Sequence, residues 1–256
     1  MNEQCSGPII ELRGVRKRFD RQEVLDGVDL SIGTCESLVI IGRSGCGKSV
    51  LLKHITGLIQ PDEGEILFHG EDITKFGRKS LFDMRMHFGM LFQGAALFDS
   101  MTVGENVALP LVKHSGLSEE EIRQKALDKL ALVGLTDVHD MYPAELSGGM
   151  KKRVGLARAV VMDPQVVLYD EPTTGLDPIM ADVINGLIRD LQKGLNITSV
   201  VVTHDIKSAY KVGDRLAMLH EGKIIFSGTP EETARTGDAT VRQFIEGRAE
   251  GPIKAV

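Results

Sequence analysis

Apolar positions fall in short dense runs at the start of the chain and shift to a spacing of three to four residues further on. Ile9 to Val15, Val24 to Ile32 and Ser37 to Ile41 are rich in Ile, Val and Leu and are separated by Gly, Asp and charged residues, a pattern that predicts three strands. After Lys48 the spacing turns helical as far as Gly57, a residue suited to stopping a helix. Pro61-Asp-Glu-Gly64 predicts a turn, followed by a strand over Glu65 to Phe68.

From about residue 95 to 162 the pattern is mostly helical. Ser118 and Glu121 have the spacing at which hydroxyl and carboxylate cap each other's backbone amides, and Ile122, Ala126, Leu130 and Val133 then share one face. Past Pro164 the text alternates: a strand over Val166 to Tyr169, a helix over Ala181 to Leu191, a strand over Thr198 to Val202 and a helix over Ile206 to Val212. Within the first of these helices Ile184, Leu187, Ile188 and Leu191 are expected to be core residues and nothing more. This alternation predicts an α/β fold around a parallel sheet.

Composition narrows the picture. With 256 residues, 42% apolar and 26% charged, the chain resembles ordinary globular proteins, and one large domain with an inserted lobe fits its length. No run approaches the 18 to 20 apolar residues, roughly, that cross a bilayer. Residues 1–8 lack a basic segment followed by an apolar one, so residence in the cytosol is expected. Cys5, Cys35 and Cys46 are too scattered for a disulfide framework or a zinc site. A net charge of −6 without a long basic block argues against nucleic acid as a partner.

Three local motifs carry chemistry. Gly42, Arg43, Ser44, Gly45, Cys46, Gly47, Lys48 and Ser49 satisfy GxxxxGK[ST] between an apolar strand and a helix that continues with Val50. In that context the glycines let successive amides curl around phosphate oxygens, Lys48 adds charge at the β- and γ-phosphates, and the Ser49 hydroxyl is a Mg²⁺ ligand. Val166-Val-Leu-Tyr-Asp-Glu171 ends an apolar strand in two carboxylates that face different ways. Asp170 is expected in the Mg²⁺ shell and Glu171 as the general base that polarises the attacking water. Ser147, Gly148 and Gly149, within Leu146-Ser-Gly-Gly-Met150, open a helix and offer a second phosphate-binding end. Two half-sites in one chain predict a head-to-tail pair of copies.

With these motifs the sequence resembles the ATP-binding cassette family over nearly its whole length. The resemblance implies a P-loop NTPase parallel-sheet core with an antiparallel β subdomain and an inserted α-helical subdomain. The cassette would occupy residues 1–235, with the helical subdomain at about 95–162 and a C-terminal tail over 236–256. It also implies roles: Gln93 as the Q-loop glutamine that senses Mg²⁺ and the γ-phosphate, Asp177 in the D-loop, His204 as the switch histidine, and Phe19 as the aromatic stacked on adenine. The Ser147 to Gly149 motif would complete the ATP site of the opposite subunit. Met150 stands where the family commonly has glutamine. Together with Gly89 to Phe98, Val103 to Leu111 and Val241 to Pro252, it makes the chain look like the ATPases of Mla/Mce-type phospholipid transporters.

That subgroup implies ATP and Mg²⁺ as cofactors and a peripheral position on the cytoplasmic face of the inner membrane. Its partners would be a second copy, a multi-spanning permease, an MCE-domain lipid-binding protein and a STAS-domain subunit. The apolar stretch from Phe88 to Leu111 suits either a groove for a permease helix or ordinary core packing. The alternatives are an ATPase of another importer or exporter, a nontransport cassette acting on nucleic acid, and a regulatory cassette that binds ATP without turnover.

Overall fold

The computed structural model describes residues 7–20 and 22–254. Cys5, and all but Gly7 and Pro8 of the N-terminal segment read above for a leader, lie outside them. The described residues of 1–81 and 200–256 form one unit, and residues 82–199 form a second.

In the first unit β1 (Pro8–Phe19) and β2 (Gln22–Gly33) pair antiparallel, with Ile10 opposite Ile32 and Leu12 opposite Leu30. Those four side chains are buried, as the alternation in the sequence demands. β3 (Ser37–Ile41) is buried at all five positions, the pattern of a central strand covered on both faces. α1 (Lys48–Ile55) follows, with Thr56 as its C-cap, immediately before the predicted stop at Gly57. β4 (Glu63–Phe68) pairs antiparallel with β1, and the two-residue β5 (Glu71–Asp72) finishes a sheet of order β2-β1-β4-β5. α2 (Arg78–Arg85), which the sequence pattern does not announce, carries the chain across the unit boundary.

The second unit begins with β6 (Phe88–Leu91) and continues with α3 (Val103–His114), α4 (Glu119–Leu132), α5 (Gly148–Val160), β7 (Val166–Asp170) and α6 (Pro178–Leu195). β6 lies parallel to β7, pairing Phe88 with Val166 and Leu91 with Tyr169. Gly89 and Leu91 are therefore core residues, and so are Val103, Val107 and Leu111 in the same apolar stretch, while Phe92 and Phe98 are exposed. The predicted Ser118–Glu121 capping box is present. Ala126, Leu130 and Val133 are buried and Ile122 is half-buried; in α6 Ile184, Ile188 and Leu191 are buried and Leu187 half-buried.

β8 (Thr198–Thr203) brings the chain back to the first unit, where α7 (Ile206–Val212), β9 (Arg215–His220), β10 (Lys223–Gly228), α8 (Pro230–Arg235) and α9 (Ala239–Glu246) follow. β9 is parallel to β3, with Leu38 opposite Arg215, and antiparallel to β10. The hairpin closes through Glu221 (φ 47°) and Gly222 (φ 76°), two left-handed residues of the kind a tight two-residue β-turn needs. Strand order on this side is β10-β9-β3-β8. The segment read as a tail thus contains α9, whose Val241 is fully buried. Among the described residues no helix is long and apolar enough to cross a membrane.

Candidate functional site

In the first unit the chain leaves the buried end of β3 and curls through residues 42–47 into α1. Gly42 (φ 155°) has no room for a side chain: a Cβ there would overlap the main-chain oxygen of Leu219 and come within 2.8 Å of Cys46 Sγ. Gly47 caps α1 at φ 105°, a conformation that other residues adopt only under strain, and as glycine it brings no side-chain cap. α1 has no carboxylate in its own first turn, and the positive end of a helix favours an anion. The Lys48 ammonium is folded back over the loop, donating to Gly42 O at 2.8 Å and Arg43 O at 2.9 Å. Ser44 and Gly45 are exposed, whereas Arg43, Cys46, Ser49 and Val50 are half-buried.

Two further predicted residues belong to this unit. Phe19 is 42% exposed at the end of β1, with the Lys17 ammonium 5.6 Å from its ring centroid. Lys17 in turn donates to Asp62 at 2.7 Å. His204 is exposed between β8 and α7, where Asp205 caps the next helix by accepting from Lys207 N.

The second unit holds the remainder. β7 ends at Asp170, and Glu171 turns the chain at φ 48°. Thr174 donates its hydroxyl hydrogen to Glu171 Oε2 at 3.3 Å. Gln93, just past the end of β6, is exposed. Ser147 caps α5 by accepting from Met150 N, and Asp177 caps α6 by accepting from Ile179 N at 2.9 Å and Met180 N at 3.0 Å. The two helix starts lie against each other: Leu176 Cδ2 is 3.6 Å from the position of a Cβ on Gly148.

Sequence reasoning missed Lys152. This lysine of α5 is 5% exposed. Its ammonium donates to the main-chain oxygen of Gln93 and, at 3.4 Å, to that of Glu171. Burial lowers its pKa, while the charges of Asp170 and Glu171 work in the opposite direction. Arg158, also on α5, donates to Ala95 O at 2.6 Å. Only the basic character of α5 hinted at these bridges.

The donor set fits a nucleotide with a hard cation. Among the described residues no cluster of three or more His, Cys, Asp or Glu could hold a metal unaided. Mg²⁺ needs no such cage, because it is commonly held by one or two protein oxygens together with phosphate oxygens.

Residues 25–174 match the ABC transporter family. The chain belongs to that family. It is 41% identical over 247 residues to the intermembrane phospholipid transport system ATP-binding protein MlaF of Haemophilus influenzae, covering 96% of this chain and 93% of that one. It is 43% identical to the probable ribonucleotide transport ATP-binding protein mkl of Mycobacterium tuberculosis, with coverage of 96% and 69%. Among solved structures, a dimeric ATP-binding cassette in a post-hydrolysis state, bound to ADP and Pi, superposes with a TM-score of 0.79 at 33% identity, covering 86% of this chain and 98% of that one. This ABC cassette is thus an ATPase, the ATP-binding subunit that energises a transporter.

Proposed function

We propose that the chain is the ATPase of a phospholipid transporter of the Mla/Mce type, working as a pair of copies at the cytoplasmic face of the inner membrane. The observation that carries this reading is the near full-length similarity to MlaF, 41% identity over 96% of this chain. Its partners are a second copy, a multi-spanning permease, an MCE-domain lipid-binding protein and a STAS-domain subunit. The cassette occupies residues 1–235, its helical subdomain about 95–162, and the tail 236–256.

In this reading Phe19 stacks on adenine, residues 42–50 hold the phosphates, and Ser147 to Gly149 of one copy reach the nucleotide of the other, with Asp177 crossing between copies. Ser49, Gln93 and Asp170 would hold Mg²⁺, which would supply positive charge to the β- and γ-phosphates. Glu171 accepts a proton from water as its oxygen bonds to the γ-phosphorus and the bond to the bridging oxygen breaks, leaving ADP and inorganic phosphate. Lys48 and His204 stabilise charge on the γ-phosphoryl oxygens. Loss of the γ-phosphate contacts then lets the two copies part, which is how hydrolysis moves the permease.

The experiment is purification in detergent with the membrane partners, identification of bound cargo, and ATP-driven transfer between vesicles. Phospholipid in the complex and ATP-dependent phospholipid transfer support the proposal. The mycobacterial relative is named for ribonucleotide transport, a second cargo, and accumulation of ribonucleotide without lipid transfer would establish that reading instead.

A further inference from the structure

The buried ammonium of Lys152 joins three pieces of chain that the proposed mechanism treats separately. It stands on α5, the helix opened by Ser147, Gly148 and Gly149. Its two partners are the main-chain oxygens of Gln93 and Glu171. Gln93 follows the end of β6 and Glu171 follows the end of β7, and these strands are parallel neighbours with Leu91 opposite Tyr169. The ammonium therefore pins together the carboxyl ends of two adjacent parallel strands, the edge at which α/β proteins place their chemistry.

The surroundings show that this is a built contact. A lysine withdrawn from water is costly unless its donors are used, and here they are turned on backbone oxygens while the carboxylates of Asp170 and Glu171 supply the compensating field. α5 approaches closely because Gly155 has no side chain: a Cβ there would come within 2.6 Å of Leu91 Cδ1 and 3.3 Å of Ala95 Cβ. Arg158 adds a second tie from the same helix to Ala95 O. The segments held in this way carry uncommon backbone. Glu171 (φ 48°), Ala95 (φ 60°) and Ala96 (φ 48°) are all left-handed without being glycine, a state that persists only where the surroundings enforce it.

We infer that Lys152 is a positioning residue for ATP hydrolysis, setting the backbone of Gln93 and Glu171 in one fixed relation to the helix that presents Ser147 to Gly149. The inference rests on the proposed roles of Gln93 and Glu171. A displacement of α5, such as closure of two copies would impose, reaches both residues through this one side chain. Lys152 touches neither substrate nor reacting atoms in this scheme, so its removal affects turnover and not the capture of nucleotide.

The test compares Lys152→Met, Lys152→Gln and Lys152→Arg with the unaltered protein, measuring phosphate release, KM for ATP, equilibrium binding of a fluorescent ATP analogue, and thermal midpoint. Lys152→Met should lower kcat at least about tenfold with KM and analogue affinity within about twofold, and Lys152→Arg should restore most of the loss. A purely structural lysine predicts otherwise: kcat and affinity fall together with the melting temperature, or kcat stays within about twofold. Either result overturns the inference. If Lys152→Met does not fold, Lys152→Gln decides by the same split, since its shorter, uncharged side chain fills the space without tying both backbone oxygens. Glu171→Gln is assayed alongside. Full activity in that variant would sink the Glu171 assignment, whereas an inactive Glu171→Gln beside a normal Lys152→Met would sink the lysine inference alone.

Discussion

Met180 on α6 covers Gly149 at the start of α5, so that a Cβ on the glycine would overlap the methionine methyl and lie 3.7 Å from Sδ. The obstacle is the far end of a flexible side chain, which can swing aside. Gly149→Ala is expected to fold with a loss of no more than about 1 kcal/mol, and, in the role proposed for Ser147 to Gly149, to lose ATP turnover by more than about tenfold because an amide that would meet a phosphate is displaced. Gly89 provides the contrast. A Cβ there would run into the main-chain oxygen of Ala159, which cannot move without shifting α5 against β6, so Gly89→Ala should cost about 2–4 kcal/mol. Urea unfolding of both variants measures the difference.

Arg215 on β9 clamps the first unit. Its Nε donates to Glu36 Oε1 at 2.6 Å and its Nη2 to Glu36 Oε2 at 3.0 Å, and it also reaches Ser31 O and, at 2.8 Å, Ser227 Oγ. Glu36 accepts from Gly33 N at 2.6 Å as well. Arg215→Ala should destabilise by about 2–4 kcal/mol because a partly buried carboxylate is left without its partner. Arg215→Lys should recover only part, since an ammonium cannot reproduce the two-pronged contact. Denaturant midpoints give both numbers.

His54, fully buried on α1, predicts a specific acid sensitivity. Burial holds its imidazole below the ordinary value, with Lys17 adding to the effect and the hydrogen bond to Val50 O opposing it. The folded state thus takes up a proton less readily than the unfolded chain. Its contribution is constant above the unfolded value near pH ~6.5 and is lost progressively as the pH falls below that point. The difference in thermal midpoint between the unaltered protein and His54→Gln should change between pH 7.5 and pH 5, with the unaltered protein losing more on acidification. A pH-independent difference would contradict this.

The features legible in the sequence are those encoded over short stretches. β3 falls on the predicted residues, 37 to 41, because the four apolar residues that follow Ser37 between turns have few other uses. The loop before α1 is recognisable since its glycines, lysine and serine are contiguous. β6 is harder: four residues at the head of a mostly helical stretch show no period, and only pairing with β7 makes them a strand. α9 is two turns long, too short for a helical spacing to stand out, although Asp238 caps it at Thr240 N and Val241 N. Lys152 is invisible in a linear reading because its partners lie 59 and 19 residues away.

The end of the described chain is held by the side chains of Gln243 and Arg43. Gln243 donates to Ile253 O at 2.9 Å and accepts from Ile253 N at 2.7 Å, while Arg43 donates to Lys254 O at 2.9 Å. Gln243→Ala should release residues 248–254, seen as faster hydrogen exchange and new proteolytic cleavage confined to that segment. Protection equal to that of the unaltered protein would contradict the clamp.

Light scattering of Glu171→Gln on a sizing column tests most directly whether two copies close on ATP. With ATP and Mg²⁺ the variant should elute at twice the 27.9 kDa chain mass and should revert to one chain mass with ADP. A Glu171→Gln protein that stays at one chain mass in saturating ATP, or that hydrolyses ATP at the unaltered rate, would contradict the account.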